Sequence, residues 1–188
     1  MLKPTIKFRR YTSQDLPEIL RIQKDNVISN LLKDDRQEGF LSVEFSSRQF
    51  EEMNREIPIV VADLGSQLGG YLCGIGISSG GQVPILAHII SLFHETCFRN
   101  HLLDQYRSFI YGPVCIEKEV RGQGILEGLF TELLRQLTGH FDVGVLFISQ
   151  DNPRSLHAHI HKLGMEMVRD FQFRGKLFSL LAFAMPNK

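Results

Sequence analysis

Residues 111–137 constrain the fold of this chain more than any other segment. They read YGPVCIEKEVRGQGILEGLFTELLRQL. The apolar run 109–116 predicts a buried strand, and a charged turn, 117–121, follows it. After the glycine-rich turn 122–124, apolar residues recur at the spacing of one buried helix face: Ile125, Leu126, Leu129, Phe130, Leu133, Leu134 and Leu137. The segment therefore predicts a strand, a glycine-rich turn and a helix in direct succession.

A turn of this kind is suited to binding an anion. Gly122 and Gly124 let the backbone approach a ligand closely, and the first N–H groups of the helix have no partners within the helix. The helix dipole adds partial positive charge at that end, and Arg121 adds a full charge. We therefore expect a phosphate or pyrophosphate group to bind there.

Length and charge exclude several classes of protein. The chain has 188 residues, which suits a single domain, 1–188, and its net charge is zero, from 21 basic and 21 acidic residues. This balance argues against a dedicated surface for nucleic acid or for an anionic membrane. No apolar signal core or membrane-spanning run occurs, so we expect a cytoplasmic protein. Cys73, Cys97 and Cys115 are interpreted as buried free thiols in a reducing compartment.

The remaining segments predict an alternation of strands and helices. Helix caps occur before Leu16, at Ser46 and at Asn152, and residues 30–39 are predicted to be a loop. Residues 84–106 predict a helix followed by an irregular or helical segment, inserted before the central strand. Period-two or continuous apolar runs predict further strands at 5–10, 58–63, 68–77, 143–149, 165–174 and 177–185.

The pair Gly74 and Gly76 invites interpretation as a nucleotide-binding loop. We reject that interpretation because Ser79 stands where a third glycine is needed, and because we expect no helix directly afterwards. Glycines within a strand more often mark a bulge or close packing.

Two motifs resemble those of the GNAT superfamily of acyl-CoA-dependent N-acyltransferases. The turn 121–125 is similar to the family's pyrophosphate motif, Arg/Gln-x-x-Gly-x-Gly/Ala, in which Arg121 and Gly124 match and Leu126 departs. The family's second motif is Asn-x-x-Ser/Ala, then Tyr or His, then Leu-Gly and an apolar residue. Its counterparts here, with one residue more than usual before Leu-Gly, are Asn152, Ser155, His159, Leu163, Gly164 and Met165.

The resemblance implies an α/β fold of the GNAT type. Its central mixed, mostly antiparallel sheet would be splayed between the fourth and fifth strands and flanked by helices, forming one N-acetyltransferase domain. Acetyl-CoA would lie in the splay as a co-substrate. The residues implied to bind it are Val114, Cys115, Ile116, Arg121, Gly122, Gln123, Gly124, Ile125, Leu126, Asn152 and Ser155.

The resemblance also implies catalytic candidates. His159 occupies the place of a tyrosine acid in relatives and would protonate the departing thiolate, while a backbone N–H near Ile116 would polarise the thioester carbonyl. Glu117 is a candidate base acting through water, although a solvated turn carboxylate is the favoured interpretation. His157 and His161 have metal-compatible spacing, but no third ligand is evident nearby, so we expect no metal.

The implied activity is transfer of an acetyl group from acetyl-CoA to a primary amine on an unidentified small molecule or peptide, with no nucleic acid or membrane as partner. The alternatives are a non-catalytic acyl-CoA-binding sensor or scaffold, and an interaction protein whose turn is empty. The insert, 84–106, is expected to wall or cover the acceptor cleft, with self-association as a homodimer as the alternative.

Overall fold

A computed structural model describes residues 6–30 and 39–186 of the chain. The strands are β1 (Lys7–Arg10), β2 (Val60–Asp63), β3 (Leu68–Gly76), β4 (Cys97–Phe98), β5 (His101–Leu102), β6 (Ser108–Ile116), β7 (Val143–Ser149), β8 (Glu166–Phe173) and β9 (Lys176–Ala184). The helices are α1 (Leu16–Asn26), α2 (Ser47–Glu56), α3 (Ile77–Gly80), α4 (Pro84–Ser91), α5 (Ile125–Leu137) and α6 (Pro153–His157), which continues into a π-helical turn (Ala158–Lys162).

One seven-stranded sheet organises the molecule, in the spatial order β1-β2-β3-β6-β7-β9-β8. Every neighbouring pair in it is antiparallel except β6 and β7. The mixed, mostly antiparallel sheet flanked by helices is thus confirmed. Strands β4 and β5 form a separate small hairpin. The predicted fourth and fifth strands of the main sheet are therefore β6 and β7.

The two central strands diverge after a short stretch of pairing. They pair at Ser108↔Val143, Phe109↔Gly144 and Ile110↔Val145, whereas β6 runs on to Ile116 and β7 to Ser149. The predicted splay is therefore present. In the divergent part, the backbone N–H and C=O groups that point from one of these strands toward the other have no strand partner. Burying such groups unpaired costs free energy unless another group forms hydrogen bonds with them.

The sheet divides the core into two layers because successive side chains point to opposite faces. On β3, Tyr71 packs with the cluster that includes Ile22 of α1 and Phe50 of α2. The adjacent Leu72 packs with the cluster that includes Leu129 of α5. Each fully buried aliphatic side chain of this kind contributes roughly 1.5–3 kcal/mol relative to its exposed state. The layers hold the N-terminus of α5 against the end of β6.

Two expectations about the segment after β3 need correction. A short helix, α3, begins directly after Gly76, although we expected none. The close-packing interpretation of the strand glycines holds, because a Cβ atom at Gly74 would lie 2.4 Å from Ile57 Cγ2. In the insert, the predicted helix is confirmed as α4. The β4–β5 hairpin that follows was not predicted, since two-residue strands are too short to show a period.

Cys97 in this hairpin is exposed, which contradicts its interpretation as a buried thiol, whereas Cys73 and Cys115 are buried as expected. The hairpin places Cys97 on the outer side of its strand. Across residues 6–30 and 39–186, no helix combines the length and apolar content needed to cross a bilayer.

Candidate functional site

The N-terminus of α5 has the geometry predicted for the glycine turn. Gly124 is the N-cap residue with φ 81° and ψ 10°, and Gly122 has φ 77°, a region that L-residues with a side chain rarely adopt. No side chain caps the helix. The first-turn N–H groups, from Ile125 to Glu127, therefore remain available to a ligand.

Arg121 is held in place by two other elements. Its Nε donates a hydrogen bond to the Ile116 carbonyl at 3.0 Å, and its Nη2 donates to Asn26 Oδ1 at 2.6 Å. Asn26 is itself buried and donates from Nδ2 to the Ile22 carbonyl at 2.8 Å. The guanidinium is thus fixed between α1 and the end of β6. The contact of Asn26 with Arg121 was not predicted from the sequence. A polar residue within the apolar stripe of α1 could have indicated such a buried contact.

The register of β6 decides which of its backbone groups face the splay. The Glu117 N–H donates to the Gly69 carbonyl at 2.9 Å, and Ile116 lies opposite Gly70. Because hydrogen-bonded and non-hydrogen-bonded pairs alternate in antiparallel strands, Cys115 directs its backbone toward β3. Val114 and Ile116 direct theirs toward the cleft. We therefore expect a ligand to use Val114 and Ile116 rather than Cys115.

A cavity lies between the α5 N-terminus, the end of β6 and α6. We call it the α5-side cavity. Its lining includes three basic side chains and one carboxylate: Arg121, Arg154, Lys162 and Glu127. Lys162 Nζ lies 3.8 Å from Glu127 Oε1. The cavity therefore combines open helix amides with an excess of positive charge, which suits a phosphate-bearing ligand.

Two members of the predicted cofactor set differ in what they present to this cavity. Leu126 lines it. Gln123 is not among its lining residues, because its Nε2 folds back toward the Glu119 carbonyl at 3.4 Å. Any contribution of Gln123 to ligand binding is therefore expected from its backbone.

A second cavity meets the first at the splay and reaches α4; we call it the α4-side cavity. Residues that line both cavities mark the junction between them: Phe40, Val114, Asn152, Ser155 and His159. The junction lies where β6 and β7 part. A ligand extending from the α5-side cavity would present its end to a ligand in the α4-side cavity at this point.

Asn152 links α6 to the segment that covers the junction. It is the N-cap of α6, as predicted, and its Oδ1 accepts a hydrogen bond from the Ser155 N–H at 3.2 Å. Its Nδ2 donates to the Phe40 carbonyl at 3.0 Å. Asn152 is buried. The predicted cap therefore also fixes one wall of the cleft.

His159 is the titratable side chain at the junction, and 3% of it is exposed. The π-helical turn accommodates the additional residue before Leu-Gly and carries His159 inward. Its Nδ1 lies 2.7 Å from the Ser155 carbonyl. A carbonyl only accepts, so Nδ1 carries the proton and the neutral Nε2 is an acceptor. Nε2 is buried and has no hydrogen-bond partner among the described residues.

This geometry bears on the predicted role of His159 as an acid. Burial lowers the pKa of His159 below its usual value, although the hydrogen bond to Ser155 acts in the opposite direction. At neutral pH the ring is therefore mainly uncharged and has no proton on Nε2 to donate. Its resting state fits a proton acceptor.

The other two histidines of α6 lie apart from the junction. His157 and His161 are exposed, and their ring centroids are 4.5 Å apart. No cluster of three or more metal-binding side chains occurs within the described parts of the chain.

Glu117 has a different environment from the one favoured by its sequence context. It is 8% exposed, and its Oε1 lies 2.5 Å from Arg21 Nη2 on α1. The interpretation as a solvated turn carboxylate is therefore wrong, because α1 packs over the end of β6 and pairs with it. Glu117 is not among the residues that line either cavity.

Comparison with known proteins places this arrangement in context. No family model and no curated protein matched the sequence. Among solved structures, an N-acetyltransferase from Staphylococcus aureus has a TM-score of 0.65 at 17% identity, covering 97% of this chain and 99% of its own. A Salmonella typhimurium acetyltransferase structure with its cofactor acetyl-CoA has a TM-score of 0.63 at 16% identity, covering 97% and 95%.

A third structure, Arabidopsis thaliana NAA60 with a bisubstrate analogue, has a TM-score of 0.64 at 14% identity. The match covers 98% of this chain and 100% of that one. Similarity at such identities establishes architecture, and these matches extend over nearly the whole chain. The protein therefore has the GNAT N-acetyltransferase fold, as the glycine turn and the α6 motif indicated.

Proposed function

We propose that this protein transfers an acetyl group from acetyl-CoA to a primary amine. The observation that carries the proposal is the junction itself. An uncapped helix N-terminus and a free strand edge lead to a buried, unpartnered His159 Nε2, and a second cavity opens beyond it. An acyl donor and an acceptor can thus meet from opposite sides.

The binding roles follow from the groups that each element presents. The amides of residues 124–127 and the basic side chains of the α5-side cavity would hold the pyrophosphate. The backbone of Val114 and Ile116 would pair with the amides of the pantetheine arm, as an added strand would. Bound acetyl-CoA would supply a thioester carbonyl. The Ile116 N–H is our candidate for polarising that carbonyl.

His159 supplies the proton transfers in this proposal. As the amine nitrogen forms its bond to the acyl carbon, His159 Nε2 accepts a proton from that nitrogen. As the carbon–sulfur bond breaks, the resulting imidazolium returns the proton to the sulfur. His159 then acts first as a base and afterwards as the predicted acid. We assign the base to His159 rather than Glu117, whose carboxylate is paired with Arg21.

The proposal is tested on the unmodified protein with acetyl-CoA and a panel of amines. Saturation at about a hundred times the Kd would stabilise the fold by about 2.7 kcal/mol, so the Tm should rise. Amine-dependent release of free CoA thiol should accompany the acetylated product in mass spectra. Unchanged Tm would refute the cofactor site. A protein that is stabilised but acetylates no amine would support the sensor or scaffold alternative.

A further inference from the structure

The α4-side cavity is walled mainly by hydrocarbon. Its apolar lining comes from five parts of the fold: Phe40, Leu41, Val43, Phe45, Ile75, Leu86, Ile110, Tyr111, Pro113, Val114, Leu146, Phe147 and Ile148. Its polar side chains, other than Ser42, Ser149 and Tyr111, whose hydroxyl is buried without a partner among the described residues, are the junction residues Asn152, Ser155 and His159. Polar groups are therefore concentrated where the reaction would occur, and the space beyond them is apolar.

No carboxylate and no cationic side chain is found among the described residues that line this cavity. On the side away from the α5-side cavity, an adjoining cavity shares Phe40, Ser42, Val43 and Ser149 with it. Its lining includes one carboxylate, Glu44, and two cations, Arg174 and Lys176. The adjoining cavity thus carries more positive than negative charge.

The walls of the cavity are held by hydrogen bonds rather than left to collapse. On α1, the buried Gln23 donates from Nε2 to the Phe45 carbonyl at 2.7 Å and accepts from the Phe45 N–H at 2.8 Å. Asn152 holds the Phe40 carbonyl in a similar way. The backbone at two aromatic wall residues, Phe40 and Phe45, is therefore held by α6 and α1.

Such a lining discriminates between amines by their charge. An ammonium group that enters an apolar cavity loses its hydration, and without a counter-charge its pKa falls toward neutrality. For the reacting amine the lowered pKa favours the reaction, because the neutral amine is the nucleophile. A second ammonium on the same molecule would lose hydration without any chemical gain.

We propose that the acceptor is a primary amine with a single positive charge on an apolar body. This inference rests on the proposed function and extends it by naming the class of acceptor. The amine nitrogen would face His159 Nε2, and the body would extend toward Phe45, Ile75 and Leu86. Polyamines and other multiply cationic acceptors would be poor substrates.

The test compares hexylamine with hexamethylenediamine, which carries a second ammonium group in place of one hydrogen on the terminal carbon. With acetyl-CoA saturating, kcat/KM for hexylamine should exceed that for the diamine by about tenfold or more, because the distal charge is desolvated. Equal rates, or faster acetylation of the diamine, would overturn the acceptor class while leaving the transferase proposal intact.

A carboxylate placed in the wall should reduce this preference. Val43 is half-buried, lines the α4-side cavity and packs against the core cluster of α1 and α2. Val43→Glu should lower the hexylamine-to-diamine ratio by about tenfold, through pairing with the distal ammonium. Val168→Glu is the matched control, because Val168 is half-buried against the same cluster but lines none of these cavities. Ser42→Asp, at an exposed lining position, provides a second variant should Val43→Glu fold poorly.

A binding measurement separates failure of this inference from failure of the proposed function. The neutral product N-hexylacetamide should bind beside CoA in calorimetry, and Val43→Glu should weaken it. If the product binds but neither amine is acetylated, the transferase proposal is wrong, whereas the α4-side cavity is retained as a binding site for an apolar ligand. If it does not bind while the diamine is acetylated at least as fast as hexylamine, the acceptor class is wrong.

Discussion

At the scale of single residues, His159 links the motif in the sequence to the proposed chemistry. The hydrogen bond from Nδ1 to the Ser155 carbonyl defines the tautomer, and burial keeps the ring uncharged. The edge of its ring packs against Tyr111, with centroids 5.5 Å apart. Orientation and protonation state are thus set by neighbours before any ligand binds.

We expect His159→Phe to lower kcat by about a hundredfold, because proton transfer contributes mainly in the transition state. Acetyl-CoA affinity should change little, since phenylalanine keeps the ring volume. His161→Phe, on the exposed side of the same turn, should leave turnover unchanged. Steady-state kinetics and calorimetry on both variants make the comparison.

The pH profile gives this prediction a second readout. A base must be neutral, and the pKa of His159 is lowered, so kcat should fall as the pH drops through a value below 6.5. His159→Phe should lose that limb. Normal turnover in His159→Phe, with the limb retained, would mean that another group transfers the proton, and Glu117 would be tested next.

At the scale of elements, the start of α5 carries the cofactor assignment. Its glycines adopt positive φ and leave the first-turn amides uncapped. The π-helical turn of α6 is a second local adjustment, which accommodates one residue and turns His159 inward. In both cases a small change in backbone geometry sets what the cleft presents to a ligand.

Gly124→Asp should weaken acetyl-CoA binding by at least about a hundredfold, because a carboxylate would stand where we place the pyrophosphate. Gly139→Asp is the matched control: Gly139 has φ 82° and follows the opposite end of the same helix. It carries similar backbone strain but lies away from the α5-side cavity. Unchanged affinity in a folded Gly124→Asp protein, measured by calorimetry, would remove the site assignment.

At the scale of the whole molecule, two cavities meet at the splay between β6 and β7. The insert contributes to one of them, since Leu86 of α4 lines the α4-side cavity. The β4–β5 hairpin does not, and its Phe98 and Arg99 line a separate surface cavity with Arg107 and Asp142. Within the insert, α4 thus contributes to the wall of the α4-side cavity, whereas the β4–β5 hairpin does not line it.

Hydrogen exchange can separate these two parts of the insert. When CoA and N-hexylacetamide bind, amides of α4 should exchange more slowly, because the wall becomes packed on its inner side. The β4–β5 hairpin should exchange as before. Equal protection of α4 in every state would show that it only packs onto the core. Light scattering on the same samples tests the predicted alternative of a homodimer.

Local signals in the sequence were sufficient for the elements that carry the site. Glycines at the turn, the Asn152 cap and the apolar period of α5 predicted the strand–turn–helix unit and the start of α6, because each depends on residues within a few positions. The resemblance to the GNAT superfamily then supplied the mixed, mostly antiparallel sheet and its splay between the fourth and fifth strands. The sequence showed one residue more than usual before Leu163 and Gly164. It did not show that a π-helical turn would accommodate that residue.

The tertiary structure alone decided which groups meet at the cleft. Arg121 and Asn26 are 95 positions apart, and the pairing of Glu117 with Arg21 depends on how α1 lies across β6. The direction of the Val114 and Cys115 backbones follows from the register with β3, which no local pattern specifies. The apolar cavity joins Phe45, Ile75 and Leu86 from three separate segments. Such contacts depend on sheet pairing and packing between distant segments, whereas caps, turns and periodicity are local properties of the chain.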